Sequence, residues 1–295
     1  MAIKTQPLRT LVKAKTDQLT KKGKILAQFV LANPEKAVFM TTRELAAAVG
    51  ASEATVVRFV RQLGYDSYAL FIRHLREYID TGMTLLERQR LAPAPEMTNP
   101  LTRTVFQEIE NLKALGSSID MEQAQRIIQV LDQAEDLYII GSRLSFAPAF
   151  YMGWILGKVR TRVHIMKGSD STCLDVLATA PRQSIVVIVA TSRYPNELLK
   201  IGRYAKRLGM TLILLADGTS CPILSFSDHH LIAPCRNIPF LGTPTALTCL
   251  ISYLVHALAK ARGDGLKPLQ EKLEQSYLEN DLLFNLETRY DPEDL

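Results

Sequence analysis

The chain has 295 residues, of which 47% are hydrophobic and 22% are charged, and it carries a formal net charge of +5. This length and apolar content predict two globular domains, each large enough to bury its own core. No apolar run reaches the roughly 18 residues of a membrane span, and the opening MAIKTQPLRT lacks the apolar segment of a signal peptide. We therefore expect a cytoplasmic protein with no membrane partner.

The cysteines argue against a disulfide framework and against a metal site. They are scattered without paired C-x-x-C spacing, at Cys173, Cys221, Cys235 and Cys249. We expect each to be a small core residue. Since the sequence also has no Walker loop, nucleophile–base triad or metal-ligand spacing, we predict no cofactor, no metal and no catalytic residue.

Net positive charge is concentrated in the N-terminal part of the chain. Residues 1–90 hold 15 Lys/Arg against 8 Asp/Glu, a net of +7, whereas residues 91–295 hold 20 against 22, a net of −2. A local positive field of this kind is what contact with nucleic-acid phosphates requires. The N-terminal part is therefore the candidate for DNA binding.

The first strongly patterned helix is LTKKGKILAQFVLANP, which ends at its Asn-Pro pair. Its predicted inward face consists of Ile25, Leu26, Phe29 and Val30. The segment Thr42–Gly64, TRELAAAVGASEATVVRFVRQLG, then predicts a helix, a short turn and a second helix. Gly50 suits the left-handed end of the first helix, and Ser52 is placed to cap the second.

The second helix of this segment has two different faces. Its inward stripe consists of Val56, Phe59, Val60 and Leu63, and its outward face of Thr55, Arg58, Arg61 and Gln62. Such an outward face is what insertion into the major groove requires, although an ordinary helical hairpin is the alternative. The predicted DNA-binding residues are Ser52, Glu53, Thr55, Arg58 and Arg61, with Arg58 the best candidate for contacting guanine.

The residue pattern of the sequence changes after a further apolar helical stripe, which runs from Tyr68 to Ile79. The stretch APAPEMTNP at 92–100 holds three prolines and no helical period. We predict an all-α helix-turn-helix domain at 1–85, a linker at 86–100 and a second domain at 101–295.

The second domain is predicted to be a doubly wound α/β unit. Five continuously apolar, β-rich runs lie between helical stretches, at 137–142, 162–168, 184–192, 210–217 and 229–234. Strands without alternation, separated by helices, indicate a parallel sheet covered on both faces. Ligands of such sheets bind outside the carboxyl ends of the strands.

Two of these strand ends carry hydroxyls and an arginine directly before a helix, GSRLS at 141–145 and TSRYPNE at 191–197. Hydroxyls and free N–H groups at helix N-termini, together with arginine, can bind an anion. The predicted effector site is Ser142, Arg143, Ser145, Ser192, Arg193 and Glu197, with Ser171 and Thr172 as second-choice donors. Alternatively, the serines only cap their helices, and the arginines lie at the surface or at a dimer interface.

These features resemble the RpiR family of bacterial transcriptional regulators, in which a helix-turn-helix domain is joined to a sugar-isomerase (SIS) domain. The resemblance rests on SEATVVRFVRQLGYDSY at 52–68, GSRLS at 141–145 and ATSRYPNELLKIGRYAKRLG at 190–209. It implies a homo-oligomeric repressor or activator in carbohydrate metabolism. DNA binding by such a regulator responds to a phosphorylated sugar in the SIS domain.

The strand ends depart from the pattern of this family, which is roughly G-x-G-x-S and S-G-x-T-x-E. The matching residues are Gly141, Ser145, Ser192 and Glu197. Arg143 and Arg193 stand at glycine positions, and Pro195 stands at the threonine. The two arginines either bind an anion directly or fill the pocket. We expect an anionic, carbohydrate-derived effector.

A sugar-phosphate isomerase or a related SIS enzyme is the alternative function. Aldose–ketose isomerisation needs a positioned base, for which the candidates are Glu197, His229 and His230. Glu197 falls in the first turn of a helix, where the dipole favours a carboxylate without any catalytic role. We therefore expect that the chain is not an enzyme.

A single helix-turn-helix domain buries too little surface for sequence-specific binding. We therefore expect a homodimer or homotetramer on a symmetric double-stranded operator. The helices around Thr243–Ala259 and Leu269–Leu286 are candidates for the subunit interface, and they fit packing within one subunit equally well.

Overall fold

A computed structural model describes residues 8–84, 86, 99–234 and 243–283 of the chain. The N-terminal part is a helical domain. Its helices are α1 (Leu8–Lys15), α2 (Lys21–Ala32), α3 (Pro34–Ala37), α4 (Thr42–Ala48), α5 (Glu53–Gln62) and α6 (Tyr68–Glu77). They enclose one apolar core, whose largest fully buried side chains include Leu26, Leu45, Phe59 and Phe71.

The helix-turn-helix prediction is confirmed in the packing of α4 and α5. The predicted inward stripe of α5, which runs from Val56 to Leu63, is at most 1% exposed. Gly50 adopts a φ of +61°, the left-handed conformation expected at the end of α4. Lys22 Nζ donates to the Gly50 carbonyl at 2.8 Å, so α2 also fixes the turn between the two helices.

Two predictions for this domain are wrong by part of a helical turn. Ile25 is 38% exposed, because α2 turns Leu26, Ala27 and Val30 toward the core instead. Gln62 is half-buried rather than outward, since its Nε2 donates to the Gln18 carbonyl at 3.3 Å. Apolar period alone locates a helical face only to within about one residue, or roughly 100° of rotation.

The C-terminal part is an α/β domain, as predicted. Its strands are β1 (Leu137–Gly141), β2 (Val163–Lys167), β3 (Ile185–Ala190), β4 (Thr211–Ala216) and β5 (His229–Ile232). Its helices are α7 (Pro100–Ser118), α8 (Met121–Gln133), α9 (Phe146–Leu156), α10 (Thr172–Thr179), α11 (Asn196–Arg207), α12 (Thr245–Arg262) and α13 (Lys267–Glu279). All the strand pairs are parallel, and the strand order is β2-β1-β3-β4-β5.

Successive residues of β1 point to opposite faces of the sheet and enter two separate cores. Leu137 and Ile139 lie in the core that α8, α9 and α12 cover, whereas Tyr138 and Ile140 lie in the core that α10 and α11 cover. Burial on both faces explains the unalternating apolar runs of the sequence. Since β1 pairs with β2 on one side and with β3 on the other, the strand order reverses at β1, which makes the β1–β3 edge the topological switch point.

The remaining sequence predictions have mixed outcomes. The α12 helix packs within the subunit, with Leu250, Ile251 and Leu254 buried in its core. Cys173 and Cys221 are buried as expected, but Cys249 is exposed because it lies on the outer face of α12. Some predicted features lie outside the described residues: Cys235, residues 87–98 of the linker and residues 284–286 of the last helix. The domain boundaries therefore stay predictions. No helix in the described ranges is long and apolar enough to cross a membrane.

Candidate functional site

The first candidate site is the exposed face of α5. Ser52 caps this helix, because its Oγ accepts a hydrogen bond from Thr55 N at 3.3 Å. The hydroxyls of Ser52 and Thr55 lie 2.9 Å apart, at the positively polarised end of the helix. Hydroxyl groups therefore collect at the helix end that a helix-turn-helix directs into the groove.

Glu53 has a partner within the domain. Its Oε2 accepts a hydrogen bond from Thr42 Oγ1 at 2.7 Å, which ties the first turn of α5 to the first turn of α4. Thr41 and Glu44 form a reciprocal capping box at the same end of α4. The geometry thus gives Glu53 a bracing role that the sequence did not predict.

The two arginines of the predicted DNA surface lie on the side of α5 away from the core. Arg58 and Arg61 are exposed. Within the part of the chain that the structure describes, neither guanidinium has an ion-pair partner. Ala54 and Val57 share this outward face, and Val57 is 40% exposed.

The second candidate site lies at the carboxyl ends of β1 and β3, where the strand order reverses. Gly141 ends β1 in a space that admits no side chain. A Cβ at this position would lie 2.4 Å from the Ser145 carbonyl oxygen and 2.7 Å from Ala149 Cβ. The glycine therefore allows the chain to turn sharply from the strand into α9.

Ser145 joins the two strand ends. It is 1% exposed, its Oγ lies 2.9 Å from Thr191 Oγ1, and it accepts a hydrogen bond from Thr191 N at 3.0 Å. The hydroxyl that the sequence predicted as a ligand donor is thus buried and bonded within the protein.

The other two predicted serines each donate to a carboxylate. Ser142 Oγ donates to Glu197 Oε1 at 2.6 Å. This hydrogen bond and the backbone N–H of Glu197 hold the pKa of the carboxyl below its ordinary value, with help from the nearby charges of Arg143 and Lys200. Glu197 therefore stays ionised at the start of α11, where the helix dipole favours it.

Ser192 is held by Asp217, a residue that the sequence analysis did not select. The N and the Oγ of Ser192 both donate to Asp217 Oδ2 at 2.7 Å, and Tyr194 OH donates to Oδ1 at 3.1 Å. Burial raises the pKa of the Asp217 carboxyl, although these hydrogen bonds act in the opposite direction. The available signal was an aspartate directly after the apolar run of β4.

Both predicted arginines adopt a left-handed backbone. The φ angle is +54° at Arg143 and +68° at Arg193, and both residues are exposed. This conformation is uncommon for any residue with a Cβ and costs about 1–2 kcal/mol. At both positions where the SIS pattern has glycine, the chain thus carries an arginine in a backbone conformation that glycine adopts readily.

The second-choice donors form an ordinary helix start. Asp170 Oδ1 accepts hydrogen bonds from Thr172 N at 3.0 Å and from Thr172 Oγ1 at 2.9 Å. These contacts hold the pKa of Asp170 below its ordinary value. Thr172 is thereby engaged in starting α10, while Ser171 is exposed.

The candidate bases of an isomerase do not lie together. His229 and His230 begin β5, whereas Glu197 lies beyond the carboxyl end of β3. His229 Nδ1 is 3.5 Å from the Gln123 amide of α8, and His230 is exposed. Through β4, the two histidines are in register with Val187 and Ile188 in the middle of β3, so they lie short of the strand end that Glu197 follows.

A helix-turn-helix domain followed by an α/β domain with a parallel sheet is the architecture of a two-domain transcriptional regulator, and comparison with known proteins agrees with it. The pattern described as "Helix-turn-helix domain, rpiR family" matches residues 7–82, and that of the SIS domain matches residues 130–261. The chain belongs to the RpiR family of transcriptional regulators.

Named relatives and solved structures cover nearly the whole chain. It is 22% identical to the transcriptional regulator HexR of Pseudomonas aeruginosa over 272 residues, or 90% of this chain and 93% of that protein. HexR of Escherichia coli is also 22% identical, over 92% of this chain and 96% of that protein. The fold is similar to that of the Vibrio vulnificus NanR protein complexed with ManNAc-6P, with a TM-score of 0.61, 20% identity, and coverage of 95% of this chain and 100% of that one.

The α/β domain has a second neighbour. The sugar isomerase domain of an RpiR transcription factor from Sphaerobacter thermophilus is 19% identical, with a TM-score of 0.57, and covers 60% of this chain and 98% of that one. At these identities the likeness concerns the fold.

Proposed function

We propose that the chain is a DNA-binding transcriptional regulator whose operator binding is controlled by an anionic, phosphorylated sugar at the β1–β3 strand ends. It is a regulator rather than an enzyme, with a helix-turn-helix domain at 1–85, a linker at 86–100 and an effector domain at 101–295. Each subunit has one effector site and one recognition helix, and the subunits bind a symmetric operator as a homodimer or homotetramer.

The observation that carries this proposal is the pair of arginines in left-handed backbone. A strained conformation is retained only where the surrounding structure enforces it, and such conformations cluster at ligand sites. Arg143 and Arg193 each follow a strand at the switch point, and each precedes a helix. Two guanidinium groups and the nearby helix N-termini attract negative charge to one edge of the sheet.

The likeness to a solved structure supports the same class of ligand. NanR was solved with ManNAc-6P, and this chain shares its fold. Pro195 lacks the hydroxyl and the N–H that a threonine would offer, whereas Arg143 and Arg193 add two cationic side chains, which favours an anion over a neutral sugar.

A thermal-shift screen tests the effector. The purified full chain is melted alone and with sugar phosphates, sugar acids, ManNAc-6P and inorganic phosphate, since a ligand that binds only the folded state raises the melting temperature. The double variant Arg143→Ala/Arg193→Ala should lose the ligand-induced shift while its affinity for DNA without ligand stays near that of the wild type. Arg182→Ala, an exposed arginine just before β3 at the other end of the sheet, is the matched control and should keep the shift. A full ligand-induced shift in the double variant contradicts the proposed site.

A gel-shift titration tests the DNA face separately. Arg58→Ala should weaken operator binding by about 1–3 kcal/mol if Arg58 makes a bidentate contact with guanine. Unchanged affinity in a folded Arg58→Ala protein removes Arg58 from the interface.

A further inference from the structure

The exposed face of α5 contains an apolar patch that the packing of the domain does not explain. The three core-facing residues of α5 lie on its opposite side and are at most 1% exposed. Val57 is not one of them and is 40% exposed. It lies three residues after Ala54 and four before Arg61, so these residues share one face together with Arg58.

Helix stability does not account for a valine at this position. A β-branched side chain loses rotamer freedom in a helix, and alanine, arginine or lysine would favour the helix more. The same branching leaves Val57 with one preferred rotamer, so its two methyl groups are held in place before any contact is made.

The surroundings of Val57 indicate the chemistry that would cover it. Arg58 and Arg61 flank it, and the hydroxyls of Ser52 and Thr55 lie at the start of the same helix. Such side chains contact phosphates and base edges that accept or donate hydrogen bonds. Among the base edges of the major groove, only the 5-methyl group of thymine is apolar.

We propose that Val57 is a specificity-determining residue that contacts a thymine 5-methyl group in each operator half-site. This inference rests on the proposed DNA-binding function and adds to it a base preference and a residue that reads it. The position fits, because the N-terminal half of a recognition helix is the part that lies closest to the base edges.

Thymine-to-uracil replacement tests the contact, since the two bases differ only by this methyl group. Duplexes bound by the full-length wild-type protein are first selected from a random pool, and each thymine of the selected site is then replaced singly by deoxyuridine. We expect that in each half-site one position responds, and that a single replacement there weakens binding about three- to fivefold. This factor corresponds to the free energy of burying one methyl group. Val57→Ala, which removes the contact in both half-sites, should bind the thymine duplex about nine- to twenty-five-fold more weakly and should no longer respond to that replacement.

Ile25→Ala is the matched control. Ile25 is 38% exposed, nearly as much as Val57, and belongs to the same domain, but it lies on α2. Its variant should keep both the affinity and the full uracil response of the wild type. Melting curves check that Val57→Ala folds, which is expected because alanine favours the helix.

The outcomes separate this inference from the function on which it rests. If Val57→Ala keeps the full uracil response, or if no thymine in the selected site responds, the contact is refuted while DNA binding stands. If no duplex is enriched from the pool, the proposed DNA-binding function fails and the contact falls with it.

Discussion

Replacing the two left-handed arginines by glycine should stabilise the ligand-free protein. The left-handed conformation costs a residue with a Cβ about 1–2 kcal/mol. Glycine also gives the unfolded chain more conformational freedom, which lowers stability by about 0.4–1 kcal/mol and offsets part of this gain. The net gain is about 0.5–1 kcal/mol at each of Arg143 and Arg193, which for a domain of this size raises Tm by about 2–8 °C in the double variant.

A third arginine provides the matched control. Arg162 also has a left-handed backbone, with a φ of +59°, but its guanidinium lies 2.6 Å from Asp136 Oδ2 and 3.0 Å from Glu135 Oε1. Burial alone would raise the pKa of Asp136, yet hydrogen bonds from His164 and Arg162 bring it below its ordinary value. Arg162→Gly removes the guanidinium from a buried carboxylate, so it should lower Tm despite the same relief of strain.

Differential scanning calorimetry without ligand is the assay, and the direction of the shift decides. If Arg143→Gly/Arg193→Gly lowers Tm, the two guanidinium groups make stabilising contacts that outweigh the strain, and the reasoning fails. If it raises Tm and also abolishes the ligand-induced shift, the strain is retained for ligand binding rather than for folding, in line with a trade-off between stability and function.

Two further changes test the internal bonding of the strand ends. Asp217→Ala leaves the N–H and the hydroxyl of Ser192 without their acceptor, and should destabilise the protein in urea melts by about 1–3 kcal/mol; an unchanged midpoint would mean that water replaces the carboxylate. Gly141→Ala sets a Cβ 2.4 Å from the Ser145 carbonyl and should cost about 1–3 kcal/mol. Gly116→Ala, in α7 where the added Cβ meets nothing within 4 Å beyond its chain neighbours and the backbone of its own helix, should be neutral or stabilising, and similar losses in both variants would contradict the steric argument.

The elements of the fold were predictable because each is specified by a local pattern. The core-facing stripe of α5 and the five apolar strands require only that neighbours in sequence share a face or are buried together. Ile25 and Gln62 were misplaced because a helix can rotate by one residue without changing its apolar period. That rotation is set by what packs against the helix, here the turn before α2 and the last turn of α5.

The effector site was predictable in position but not in its bonding. The glycine pattern and the strand ends indicate where the loops lie, because parallel strands end at one edge. The partners of the serines depend on contacts between distant segments: Ser142 meets Glu197 and Ser192 meets Asp217, 55 and 25 positions away. No local pattern encodes which carboxylate each hydroxyl will find.

These pairings have a consequence for ligand binding. The hydroxyl of Ser145 is bonded to Thr191 inside the sheet edge, and the other two predicted serine hydroxyls already donate to carboxylates. An incoming phosphate must displace Glu197 or Asp217 to use the hydroxyls of Ser142 or Ser192, and it gains little by exchanging one anion for another. The guanidinium groups of Arg143 and Arg193 are exposed, and within the described residues neither donates a hydrogen bond to a protein oxygen, although the charge of Arg143 lies near Glu197. The free energy of anion binding should therefore come mainly from the two arginines, which is why their removal, rather than that of any serine, is the decisive test of the site.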